Sequence, residues 1–144
     1  MRVAWIVAVL FACSKPPTTK QPPAERAADR VVDIAGRWVA SDDMDWGYSM
    51  TIEPSGVIEV WIDRGKAGRC EEKGTLEPAG SRTFKLTYTR GECNPQAVNV
   101  PMDLKIGSFT GNTLTIVVAN ETRTYERAPD AEPAVERQSP AQLP

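Results

Sequence analysis

Histidine is absent from all 144 residues. That absence excludes His-based triads, the usual general base near neutral pH, and the commonest transition-metal ligand. Charge of either sign is in short supply as an excess: 17 Lys and Arg against 19 Asp and Glu leave −2. No basic stripe of the kind a phosphate backbone demands is present, so nucleic acid is not an expected partner. No apolar run approaches the roughly 20 residues of a membrane-crossing helix. The basic loop Arg64-Gly65-Lys66-Ala67-Gly68-Arg69 lacks the Gly-Lys-Ser/Thr ending of a phosphate loop. It reads as a solvated hairpin loop, or as a contact for an acidic partner or lipid headgroup. Scattered Ser and Lys residues show no nucleophile–base spacing. The chain does not read as an enzyme, and no cofactor or metal is implied.

What is present begins at the N-terminus. Met1 to Lys20 reads MRVAWIVAVLFACSKPPTTK, with Arg2, an apolar run from Val3 to Ala12, then Cys13. A run of about ten residues suits the core of a secretory signal. Ordinary secretory cleavage wants small residues in an Ala-x-Ala-like arrangement, and Leu10, two positions before Ala12, is too large. Leu10-Phe11-Ala12-Cys13 instead resembles the lipobox of bacterial lipoproteins. There a Leu three before an invariant Cys, and a small residue just before it, direct cleavage and lipid attachment. The resemblance implies that residues 1–12 are a signal peptide and that Cys13 is the acylated, palmitate-bearing N-terminus. Several acyl chains at roughly 0.8 kcal/mol per buried CH₂ would hold it firmly in a membrane. Ser14 implies passage to the outer membrane of the cell envelope. An uncleaved anchor or a plain secreted protein are the alternatives.

With Cys13 assigned to lipid, Cys70 and Cys93 remain. In an exported chain a disulfide between them is the default, and two isolated thiols without His make a poor metal site. Hairpin spacing does not set them directly opposite, so the segment after Arg90 is expected to fold back.

Proline marks the edges of the folded unit. Pro16, Pro17, Pro22 and Pro23 lie early, and Pro129, Pro133, Pro140 and Pro144 lie late. Residues 13–30 therefore read as the lipidated Cys with a Pro-rich linker, whose helix-like run around Ala24 to Val32 lacks an apolar face. Residues 129–144 have almost nothing apolar to bury and read as a disordered tail. Residues 31–128 form the single domain.

Within that domain the hydrophobic period is two. Tyr48, Met50 and Ile52 share a face, as do Ile58, Val60 and Ile62, then Phe84, Leu86 and Tyr88, then Met102, Leu104 and Ile106, then Leu114, Ile116 and Val118. Turn residues separate the runs, as at Glu53-Pro54-Ser55-Gly56 and Pro78-Ala79-Gly80. With Gly36 to Ser41, Lys73 to Glu77 and Glu121 to Arg127 the count is about eight short strands. The expected fold is all-β, a small up-and-down antiparallel β-barrel of about eight strands, since closure removes exposed sheet edges.

Ile34-Ala35-Gly36-Arg37-Trp38 resembles the Gly-x-Trp opening of lipocalins and related calycin barrels, and Thr124-Tyr125-Glu126-Arg127 resembles the end of small lipocalin-like domains of bacterial lipoproteins. The resemblance spans roughly residues 31 to 128. It implies that Trp38 packs at the closed end of the barrel against Arg127, with Arg123 as second choice. It also implies non-catalytic binding of a small apolar ligand. The alternative is a protein-interaction or enzyme-inhibitor module acting on an envelope protein through the barrel loops. A short chain of this kind has about six residues per strand, and an eight-stranded interior is just wide enough to be filled by side chains.

Three aromatic residues are candidate ligand or partner contacts. Trp46 and Tyr48 lie near a barrel mouth and read first as plugs of the core. Trp61 alternates against Ile58, Val60 and Ile62, so either it lines the interior with Val57 or it faces outward as a contact surface. Asp42-Asp43-Met44-Asp45 reads as a solvated loop, because the spacing of a calcium-binding EF-hand is missing.

Overall fold

The computed structural model describes residues 22–41 and 46–129. Cys13, the signal segment, the acidic run at 42–45 and residues 130–144 lie outside the described residues.

Eight strands among the described residues follow the two-residue period: β1 Gly36–Ser41, β2 Gly47–Ile52, β3 Val57–Asp63, β4 Arg69–Gly80, β5 Thr83–Gly91, β6 Met102–Phe109, β7 Thr113–Val118 and β8 Glu121–Arg127. Each pairs antiparallel with the next, and β1 pairs with β8, so the sheet is a closed up-and-down barrel. One set of alternating side chains fills the interior. Trp38, Met50, Ile52, Ile58, Phe84, Leu86, Leu104 and Leu114 are each at most 2% exposed. The apolar face of β3 is the inner one, which turns Trp61 outward.

The register of the β4–β5 hairpin departs from the sequence expectation and explains the disulfide. β4 runs from Arg69 to Gly80, well beyond Lys73 to Glu77. Gly74 pairs with Tyr88 but Lys73 pairs with Arg90, so Thr89 is a bulged extra residue. The shift by one aligns Glu72 with Gly91, and the same register carried two residues further sets Cys70 opposite Cys93. Their Cα atoms are 5.3 Å apart and the sulfurs are bonded. No fold-back after Arg90 is needed, because the bulge does the aligning. Gly74 is required there: a Cβ would overlap the Thr87 carbonyl oxygen and crowd Tyr88 Cα.

One end of the barrel is sealed by chain that the sequence assigned to a linker. Residues 25–30 lie against the barrel. The Arg26 N–H donates to the Phe109 carbonyl at 2.7 Å, Glu25 pairs with Arg82 at 2.7 Å, and Asp29 accepts from the Arg82 N–H and the Ser81 hydroxyl. A single helical turn, α1 Val31–Ile34, follows. Ala28, Val31 and Ile34 are buried under the barrel rim. The run does have an apolar face: three residues spaced by three, one of them a small Ala that contributes little hydropathy but fits a tight contact.

Candidate functional site

The sealed end is built around Trp38. Its indole is fully buried, donates to the Ile34 carbonyl at 3.0 Å, and meets Phe109 edge-on at 6.1 Å. The structure brings Arg127 onto the indole face, with the guanidinium carbon 4.2 Å from the ring centroid. Arg127 also donates to the carbonyls of Gly111 (2.6 Å) and Ala35 (3.2 Å), so it ties the β6–β7 turn to the start of β1. Gly36 has φ +142°, and a Cβ there would occupy the guanidinium position, so glycine is what admits the arginine. Arg123, the second candidate for Trp38, instead lies over the Tyr48 ring at 3.5 Å near the other end. It stands four residues before Arg127 on the same inner face, about 13 Å along a strand.

The opposite end holds an interior cavity of about 290 Å³. Its floor and walls are apolar, with Met50, Ile58, Val60, Leu86, Leu104 and Ile116 prominent. Into this lining project Glu72 from β4, Tyr88 from β5, and Arg123 and Tyr125 from β8. Over the mouth runs the segment 92–100, which includes a 3-10 turn at Pro95–Ala97 and contributes Asn94 and Ala97. The disulfide holds this strap at its start, and the Asn99 N–H to the Tyr88 carbonyl, 2.7 Å, holds it further on.

Of the aromatic candidates, Tyr48 is 6% exposed and lines the cavity beneath Arg123. Trp46 packs half-buried against the core. Trp61 lies on the outer surface with Arg69 stacked 4.5 Å from its ring centroid. A guanidinium there covers part of the indole, which accounts for an outward tryptophan without invoking a partner.

Glu72 is the residue sequence reading missed. It is 7% exposed, the one buried charged side chain among the described residues. Burial pushes its carboxyl above the ordinary value, and hydrogen bonds from the Tyr88 hydroxyl and the Asn94 backbone N–H offset only part of this. Burial, then the neighbouring Glu72 charge, raises the Tyr88 phenol; burial also raises Tyr125, with Arg123 acting the other way. The signal was available in period two. Leu76 faces inward, and counting back by two gives Gly74, Glu72 and Cys70 on the same face.

A stability prediction follows from Glu72. A carboxyl whose folded value lies above its unfolded value of 4.5 keeps its proton longer in the folded state. Its contribution to stability is therefore fully present below pH 4.5 and declines as pH rises through the folded value. The Glu72→Gln variant removes that decline. The difference in melting temperature, variant minus wild type, should grow from pH 4 to pH 7; a difference that is flat or shrinks would contradict the buried carboxyl.

Among the described residues no cluster of three or more Cys, Asp or Glu is placed to hold a metal ion. Comparison of the chain with protein-family models, with curated proteins and with solved structures finds no match.

Proposed function

We propose that this chain is a lipid-anchored protein of the cell envelope whose barrel binds a small, largely apolar molecule without transforming it. The observation that carries the reading is the 290 Å³ interior cavity with apolar walls and a few convergent polar groups. Its size is at the lower edge of ligand pockets, roughly 300 to 1,000 Å³, so the ligand is small. The polar groups that do line it are engaged with one another, Glu72 with Tyr88 and Asn94 and Tyr125 with Arg123, an arrangement of a few convergent polar groups in apolar walls that suits holding a ligand. The anchor half of the proposal rests on Leu10-Phe11-Ala12-Cys13. The chain joins the barrel at the sealed end, through Arg26 and Phe109, so the cavity mouth lies at the far end from the chain's entry.

Native mass spectrometry of protein extracted from its own envelope tests both halves. The expected result is an acylated chain beginning at Cys13 that carries a small adduct. Cys13→Ser should leave the membrane fraction, and Ala97→Trp, which fills the mouth from the strap, should lose the adduct. An empty barrel that travels with a second protein would replace this reading with the interaction module.

A further inference from the structure

The cavity is not simply apolar, and its polar groups are distributed unequally. In a closed eight-stranded barrel, β4 and β8 stand on opposite walls. Glu72 and Arg123 therefore face each other across the lumen without neutralising each other. The groups that meet Glu72 are the Tyr88 hydroxyl and the Asn94 N–H, both neutral donors. No ion pair reaches it among the described residues. A carboxylate has about four lone-pair positions, and two donors leave it half satisfied. Arg123 differs. Its guanidinium already lies on the Tyr48 ring and bonds to Tyr125.

The charged residues of the lining are Glu72, Glu121 and Arg123, a net charge of −1 by formal count. The other inward titratable groups are Tyr48 from β2, Tyr88 from β5 and Tyr125 from β8. The lining residues of β3, β6 and β7 are all apolar. A buried carboxylate lacking a cation, with the Tyr88 phenol beside it in an otherwise apolar cavity, is chemically a site for a cation on an apolar body.

We propose that the ligand is a small amphipathic amine whose ammonium group sits on Glu72 beside Tyr88 while its apolar part fills the space between Met50, Ile58, Leu86 and Leu104. This rests on the cavity-binding reading and names the ligand class for it. The ammonium supplies the missing charge, so Glu72 binds it as the carboxylate. Where the empty site is partly protonated, binding releases a proton, and affinity rises with pH through that range.

Three probes of similar shape separate the possibilities by titration calorimetry on the full, oxidised chain: 2-phenylethylamine, 2-phenylethanol and 3-phenylpropanoate. The amine is expected to bind at least tenfold more tightly than the alcohol at pH 7.5, with the carboxylate weakest. Glu72→Gln should abolish that preference while leaving the alcohol within about twofold. Should the variant fail to fold, the wild type still decides, because amine binding near pH 5 must release protons, seen as a dependence of the heat on buffer ionisation enthalpy. Equal affinity for amine and alcohol, or no proton release, overturns the amine assignment. Tightest binding by 3-phenylpropanoate, lost in Arg123→Gln, overturns it in favour of an anion site. In each of those cases cavity binding stands. Absence of binding by all three probes overturns both.

Discussion

Truncating Trp38 to Ala should destabilise the domain by about 3–5 kcal/mol, the range for a fully buried tryptophan. That is a large share of the roughly 5–15 kcal/mol holding a small domain together. The site has reasons to fall in the upper part of the range. The indole is 0% exposed, touches Phe109 and caps the Ile34 carbonyl of the sealing segment. It also sits at the seam where the barrel closes. Among the described residues β1 and β8 share two pairs, Trp38–Arg127 and Val39–Glu126, against six between β1 and β2. A short ladder depends more on its side chains. Arg127→Ala should cost less, about 1–2 kcal/mol, through lost stem packing and the cation–π contact. The two are in contact, so a double-mutant cycle in urea should show coupling of at least about 0.5 kcal/mol. Additive effects would mean that the stacking at 4.2 Å contributes nothing to stability.

The barrel was legible because its strands are amphipathic on a period of two, and a single inner face can be read residue by residue. Trp61 was ambiguous only until Ile58, Val60 and Ile62 were taken as the inner set, since strict alternation permits one answer. Three features were not legible, each for a physical reason. The Thr89 bulge depends on how β4 and β5 slide together, and Gly74, which permits the close approach to Thr87, lies within the strand run Lys73 to Glu77 with no local pattern that marks the bulge opposite it. Segment 25–34 buries Ala28, Val31 and Ile34, but its worth comes from fitting a barrel rim that no local pattern reveals. The cavity was legible least of all. Glu72 looks like one more surface charge in Glu71-Glu72-Lys73, and only its parity with Leu76 places it indoors. Arg123 and Arg127 share a face by sequence, yet strand length sends one to the cavity and the other to the sealed end.

Removing the disulfide, by Cys70→Ala with Cys93→Ala or by reduction, should cost about 3 kcal/mol. The chain-entropy estimate for a closed loop of this length, 23 residues of separation, is of that order. The loss has a local part as well. Cys70 is buried in β4 beside the cavity, while Cys93 begins the strap whose Asn94 and Ala97 line it. Other ties of that strap include the backbone bonds from Glu92 N–H to Glu71 and from Asn99 N–H to Tyr88, the Glu71 N–H donating to the Glu92 carboxylate, and the Asn94 N–H donating to Glu72, while exposed ion pairs such as Arg90–Glu92 contribute little. The unlinked domain should therefore show two changes. Its denaturation midpoint should fall with the slope altered, because the unfolded chain expands. Hydrogen exchange at the Glu92 and Asn99 amides should accelerate more than at the β2–β3 amides, because the strap opens before the barrel does. Uniform acceleration would assign the whole effect to the unfolded chain and none to the mouth. An unchanged midpoint would contradict the crosslink's role in both. The same variant links stability to binding: with the strap loosened, the Asn94 N–H leaves Glu72, so any ligand seated on that carboxyl should dissociate faster from the unlinked barrel.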